Sequence, residues 1–324
     1  MSAQQLELSA PASAIVWLGE RAHFALGDGA IFIADTRERI EAHDGAILCA
    51  ALHPDENAVL TGGDDGRIVS TSLLGPQEVF ALNGKWIDHL VASADSGALV
   101  AAAGKEAIVF KNGAESHRFA APSSIGGLAL NAKGRRLAFS HYGGATLRYA
   151  LMSDGPETLL KWAGSHLAIA LSPEADYVIT AMQEMELHGW KLPEKRDLRM
   201  SGYAAKTKSF SWDKRGRWLA TSGADCAVLW PFSGKLGPQG KQPAMLAPRQ
   251  ALVTQVAFHP RDEIVALGWN DGAVSIANVA DGATAIVREP TAAPITALAW
   301  SNTRMQLAAA DEAGAGVVME LQAR

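Results

Sequence analysis

Short apolar runs of about 5 to 7 residues, separated by Gly, Pro, Asp or Asn clusters and recurring in one phrase roughly every 40 residues, predict an all-β fold: four-stranded antiparallel blades arranged as a β-propeller. The phrase is clearest from Ala46 to Val69, AILCAALHPDENAVLTGGDDGRIV, which reads as strand, His-Pro-Asp turn, strand, Gly-Asp-Asp-Gly turn and strand. It returns from Val253 to Ile276 as VTQVAFHPRDEIVALGWNDGAVSI. Helix is the competing reading of a chain so rich in alanine and leucine, but the runs end too soon for it.

The copies follow in order. AIVWLGERAHFALGDGAIFIA starts at Ala14, the phrase above at Ala46, and LVASADSGALVAAAGKEAIVF at Leu90. GLALNAKGRRLAFSHYGGATLRY starts at Gly127, IALSPEADYVITAMQEMELHGW at Ile169, and SFSWDKRGRWLATSGADCAVLW at Ser209. The second clear phrase and ALAWSNTRMQLAAADEAGAGVVM from Ala297 complete the set. Anchored on the last residue of each first strand (Trp17, Leu52, Ala92, Leu130, Leu171, Trp212, Phe258, Trp300), the intervals are 35, 40, 38, 41, 41, 46 and 42. Eight copies are expected, filling residues 1–324 as a single domain. The eighth has three strands and ends at Leu321, so the alternating Gln5-Leu6-Glu7-Leu8 is expected to supply its fourth and close the ring. The 46-residue interval contains PFSGKLGPQGKQPAMLAP, Pro231 to Pro248, a loop by its Pro and Gly content.

Each element has a physical reason. Neighbouring sheets approach most closely near the axis, so alanine suits the inner strands, while Trp190 and Trp230 fall in third strands where the wedge is wider. Strands covered on both faces lose apolar–polar alternation, as LAIAL and LVAAA do. Gly66 and Gly272 give the tight turns their positive φ, and an Asp in the turn accepts backbone amides left unpaired.

The segment HDGAILCAALHPDENAVLTGGDDGRIV, His43 to Val69, resembles the WD40 repeat, and the resemblance extends over nearly the whole chain. It implies a hydrogen-bonded structural set of His, Ser or Thr, Asp and Trp in each repeat. The second copy matches at His43, Thr61 and Asp65 but has Thr71 for the Trp. The copy ending at Trp190 has Glu184 for the Asp, and the copy ending at Trp230 keeps Asp225 but lacks the His. Asp271 stands at the same turn in the seventh copy. Because this family most often has seven blades, seven is the alternative count, with the first and weakest copy as an irregular cap.

The chain carries 29 Lys+Arg against 34 Asp+Glu, a net charge of −5, which gives no general attraction for phosphate backbones or anionic lipid. Neither nucleic acid nor membrane is expected as a partner, and no apolar run approaches membrane-spanning length. The opening Met1-Ser2-Ala3-Gln4-Gln5 lacks the basic and apolar regions of a secretory signal, so a cytoplasmic protein is expected, as a monomer. Two cysteines, Cys49 and Cys226, are too few for a disulfide framework or a thiolate metal site. G-x-S-x-G, the phosphate-binding G-x-x-x-x-G-K-[ST], H-E-x-x-H and C-x-x-C are all missing. The nine histidines lack ligand spacing, and His53 and His259 repeat at one turn as local devices. No cofactor, metal or catalytic residue is expected.

The expected function is a non-catalytic scaffold for a protein or peptide. In WD40 proteins the rim formed by the lead-in to the first strand and the turn after the second commonly receives partners. Trp86, Asp88, Lys206 and Lys208 fall at the lead-ins. His141, Tyr142, Gln183, Trp269, Asn270 and Glu312 fall at the turns, with His141 expected to face the top of the channel. Trp86 and Trp269 are either exposed anchors or packing residues over a neighbouring sheet. The alternative function is a lactonase-like ligand site in the central channel, with His141, Glu184 and Lys105 as its polar groups. A nucleic-acid surface of Lys206, Lys208, Lys214 and Arg215 is disfavoured by net charge.

Overall fold

The computed structural model describes residues 2–321, as thirty β-strands without an α-helix. The second copy shows the unit: Ile47–Leu52, Val59–Gly63, Arg67–Ser72 and Gly75–Ala81, paired antiparallel in that order from the axis outward. Its second strand is buried throughout, as are Ala98–Ala103 and Tyr177–Met182 in their copies. These strands lie between two neighbouring sheets, which explains their continuous apolar character. The outer strands Gly75–Ala81 and Ala114–Ala120 are mostly exposed. Between the second and third sheets Leu60, Ile68, Ile87, Leu99, Ile108 and Phe110 form one buried cluster. Burying each such side chain stabilises the fold by about 1.5–3 kcal/mol.

Two local devices recur. The residue after most anchors turns its side chain back onto the following turn: Nδ1 of His53 and His259, Oδ1 of Asn131 and Asp213, and Oγ of Ser301 all accept turn amides. At two of the three Trp anchors the indole hydrogen-bonds the preceding sheet. Trp300 Nε1 donates to the Ala257 carbonyl at 2.9 Å and Trp17 Nε1 to the Ala299 carbonyl at 3.1 Å.

The described residues form seven hydrogen-bonded sheets, six of four strands and one of six, which corrects the expectation of eight separate four-stranded blades. The fourth and fifth copies share the large sheet because the 14-residue strand Thr158–Leu171 runs from one into the other, whereas Arg136–Tyr149, also 14 residues, lies within the fourth copy and brings its ends together, Ala150 N–H donating to Arg135 O at 2.9 Å. The first half of Thr158–Leu171 pairs with Arg136–Tyr149 and the second half with Tyr177–Met182. Gly143 (φ 86°), Gly144 (φ 140°) and Gly164 (φ 119°) absorb the bends that elsewhere interrupt the ladder. The innermost segments succeed one another around the axis, and Ile295–Trp300 lies against Ala12–Leu18.

The outer strand of the last sheet is Ser2–Glu7, antiparallel to Ala315–Glu320 from Ser2↔Glu320 to Glu7↔Ala315. Leu6 and Leu8 are buried with Ala308 and Ala310 of that sheet and with Trp17 and Phe24 of the first copy. Gln4 Nε2 donates to the Ala34 carbonyl at 2.8 Å, a further tie between the two.

Candidate functional site

Backbone hydrogen bonds place the lead-ins and the turns after the second strands on one rim. Within sheets, Asp64 N–H donates to Ala46 O, Gln183 N–H to Ser165 O and Asn270 N–H to Leu252 O. Between sheets, Ile87 N–H donates to Gly63 O and Ile125 N–H to Gly104 O. The rim is therefore a rigid collar whose side chains divide into those that lock it and those that face out.

His43 is the locking residue of the second copy. Its Nε2 lies 2.9 Å from Thr61 Oγ1 and its Nδ1 3.0 Å from Asp65 Oδ1, while Thr61 Oγ1 bonds the Val69 carbonyl. Gly63 has to be glycine: a Cβ there would stand 2.5 Å from His43 Nδ1. Partial burial pushes the Asp65 carboxyl up, but hydrogen bonds from His43 and from the Arg67 amide and guanidinium outweigh it and hold the carboxyl down at about 2.

Other copies fill the same space differently. Tyr203 replaces the missing histidine of the sixth copy: its hydroxyl lies 2.7 Å from Thr221 Oγ1 and accepts from Trp230 Nε1 at 2.7 Å. In the fifth copy His166 Nδ1 meets Thr180 Oγ1 at 2.7 Å. Trp190 packs there against the ring of His188, itself stacked on Trp162 at 3.9 Å. In the fourth and seventh copies the filler comes from the second strand. His141 aligns with Gly63, is buried, and points its Nε2 at Thr146 Oγ1, 3.0 Å away. Trp269 occupies the corresponding place, is 0% exposed, and donates from Nε1 to Ser275 Oγ at 2.8 Å.

These positions correct several expectations. His141 and Trp269 are packing residues, not rim contacts, because each occupies space that Gly63 leaves to His43. Asp225 is exposed and takes no part in the Tyr203 set. Asp271 does accept the Ala273 amide in its turn, but its charged partner is Arg249, 2.7 Å away, whose guanidinium lies over the Trp269 ring. His141, Glu184 and Lys105 belong to three different copies, and among the described residues no three His, Cys, Asp or Glu side chains converge as a metal site. The thiol of Cys49, bonded to the Ile87 carbonyl, is pushed far up by burial and is therefore a poor nucleophile.

Outward-facing rim side chains are Trp86, 61% exposed, and Tyr142, 68% exposed, with Gln183, Lys206, Lys208 and Asn270 also exposed. Asn270 is partly committed to the fold, since Oδ1 accepts the Leu252 amide at 2.8 Å. Trp86 and Asp88 flank Ile87, which is fully buried, and Trp86 stands exposed with Asp88 half-buried beside it. They share a shallow cleft of about 650 Å³ with Lys85, Lys105 and Glu106. Burial pushes the half-buried Asp88 carboxyl up, against smaller opposing effects of His89 and the Gly104 amide. A second cleft, about 430 Å³, runs between Tyr142 and Trp162 over Leu159 and Lys161. Sequence reading missed this one, because it arises only where the two long strands share a sheet.

Two family models match the sequence. Residues 35–69, which include His43, Thr61 and Asp65, match the WD domain, G-beta repeat. Residues 245–303, which include Trp269 and Asp271, match the anaphase-promoting complex subunit 4 WD40 domain. This is a WD40 repeat protein. Neither of the family descriptions that match this WD40 chain is that of an enzyme. Among solved structures, the computationally designed Ika8 protein shares the fold with a TM-score of 0.78 at 17% identity, over 97% of this chain and 98% of that one. The WD40 repeats of RRP9 superpose with a TM-score of 0.67 at 16% identity, over 87% of this chain and 96% of that one. No curated protein matches the chain in sequence.

Proposed function

We propose that this WD40 protein is a non-catalytic interaction scaffold that works as a cytoplasmic monomer and binds a protein or peptide through the collar carrying Trp86, Asp88, Tyr142, Gln183, Lys206 and Lys208. The observation that carries the reading is the exposure of Trp86 next to a fully buried Ile87. A large aromatic ring held out from a rigid backbone does nothing for folding, and such rings supply much of the energy of interfaces. Tyr142 adds a second exposed ring on the same rim, with its amide fixed to Ser123 Oγ at 2.8 Å.

The test compares proteins retained from native extract by the wild type, by Trp86→Ala with Tyr142→Ala, and by Leu73→Ser with Leu74→Ser in an exposed hairpin turn away from the rim. Specific retention lost only with the aromatic pair is the expected result. Retention that survives the aromatic pair overturns the rim assignment.

A further inference from the structure

The Trp86 cleft has a charge pattern that specifies what it receives. Its ion pairs all run to Glu106, from Lys85 at 2.8 Å and Arg118 at 3.4 Å. Among the described residues that leaves the Asp88 carboxylate and the Lys105 ammonium, one on each side of the cleft sequence, without an ionic partner. An apolar side chain seated on Trp86 would bury Asp88 further with no compensation, which is costly for a carboxylate. An acidic side chain there would face both Asp88 and the negative face of the indole. A cation meets attraction from each.

We propose that the Trp86 cleft seats a basic side chain of a partner peptide, its cation over the indole and against Asp88, while an acidic group of the same peptide engages Lys105. This rests on the rim reading above and adds the chemistry of the partner to it. Lys85 does not oppose the incoming cation strongly, because it is paired with Glu106, while Arg118, which also reaches Glu106, is matched by Glu115 at 2.7 Å. The raised Asp88 carboxyl points the same way, since a cation brought to it relieves the desolvation that raises it. The protein's net charge of −5 favours the approach of a basic segment at low salt.

A phage-displayed library of random decapeptides, panned on the full chain and on Trp86→Ala, tests both levels. Peptides held by the wild type and lost on Trp86→Ala are expected to share an Arg or Lys with an Asp or Glu nearby. Asp88→Asn, which changes charge without changing shape, is expected to weaken a representative selected peptide roughly tenfold, and Asp88→Lys to abolish the basic preference. A pool that depends on Trp86 but shows no basic preference, or peptides indifferent to Asp88→Asn, overturns the charge assignment and leaves the rim reading standing. A pool indifferent to Trp86→Ala, or no retained peptide at all, overturns both.

Discussion

Tyr203 stands eighteen residues before Thr221, with its hydroxyl 2.7 Å from Thr221 Oγ1, as His43 stands eighteen residues before Thr61 with Nε2 2.9 Å from Thr61 Oγ1. One spacing thus delivers two different rings to the same threonine. Each ring also reaches a further partner, Asp65 for His43 and the Trp230 indole for Tyr203. Burial pushes the Tyr203 phenol up to about 12, so its hydroxyl stays protonated at neutral pH. What the repeat conserves in space is a hydrogen-bonding ring on that threonine, and histidine is one way of supplying it.

Tyr203→Phe keeps the ring and removes the oxygen. Trp230 Nε1 loses its acceptor, and a buried donor left unpaired costs about 1–3 kcal/mol. The expected outcome is a melting temperature lower by several degrees with an unchanged β-sheet circular dichroism spectrum. An unchanged melting temperature would mean that water or a neighbouring carbonyl satisfies the indole equally well.

Asp65 gives the second copy a pH signature. Its folded carboxyl is held at about 2, below the ordinary carboxylate value near 4, so the unfolded chain binds more protons between these limits. The stabilisation is complete above about pH 4 and is lost as pH falls through about 2. Asp65→Asn should lower the urea midpoint at pH 6, and the gap from wild type should narrow as the pH is taken from about 4 toward 2. A gap that stays constant through this window would remove Asp65 as its source.

Much of this structure is legible in the chain, because period and turn chemistry are local. The spacing near 40, the buried second strands and the His-Pro turns follow from residues within a few positions of one another. The merged sheet was not legible: it depends on the positive φ of Gly143, Gly144 and Gly164, a backbone region open to glycine, and on Thr158–Leu171 running on from one copy into the next. Trp269, open in the sequence between exposed anchor and packing residue, was undecided for a different reason. Its alignment with Gly63 was visible, but not the fact that Gly63 is small because His43 fills the space beside it. A large residue at that position belongs in the gap the histidine vacates, and His141 obeys the same rule.

Removing residues 2–8 should act far beyond an ordinary terminal trim. It unpairs the edge of Ala315–Glu320 and uncovers the surfaces that Leu6 and Leu8 bury, each worth about 1.5–3 kcal/mol. The expected outcome is a large drop in melting temperature together with aggregation through the open edge. A truncated protein that melts like the full chain and stays soluble would show that the pairing contributes little.

The two tryptophans named together from the sequence should separate in experiment. Trp269 is fully buried, hydrogen-bonded to Ser275 and packed among Val253, Leu267 and Ala273, so Trp269→Ala leaves a cavity and an unpartnered hydroxyl. A loss of about 3–5 kcal/mol is expected. Trp86 is exposed and should cost no more than about 0.5 kcal/mol when truncated. Affinity for a rim-bound peptide should reverse the order. Losing a central aromatic anchor of about 2 kcal/mol weakens binding roughly 30-fold, whereas Trp269→Ala protein that remains folded should bind nearly as before. Thermal unfolding and peptide titration on the same two variants give four numbers, and the argument requires them to cross. If Trp86→Ala instead lowers the melting temperature as much as Trp269→Ala does and leaves affinity alone, Trp86 is a packing residue, and the partner surface has to lie elsewhere, with the Tyr142–Trp162 cleft next in line.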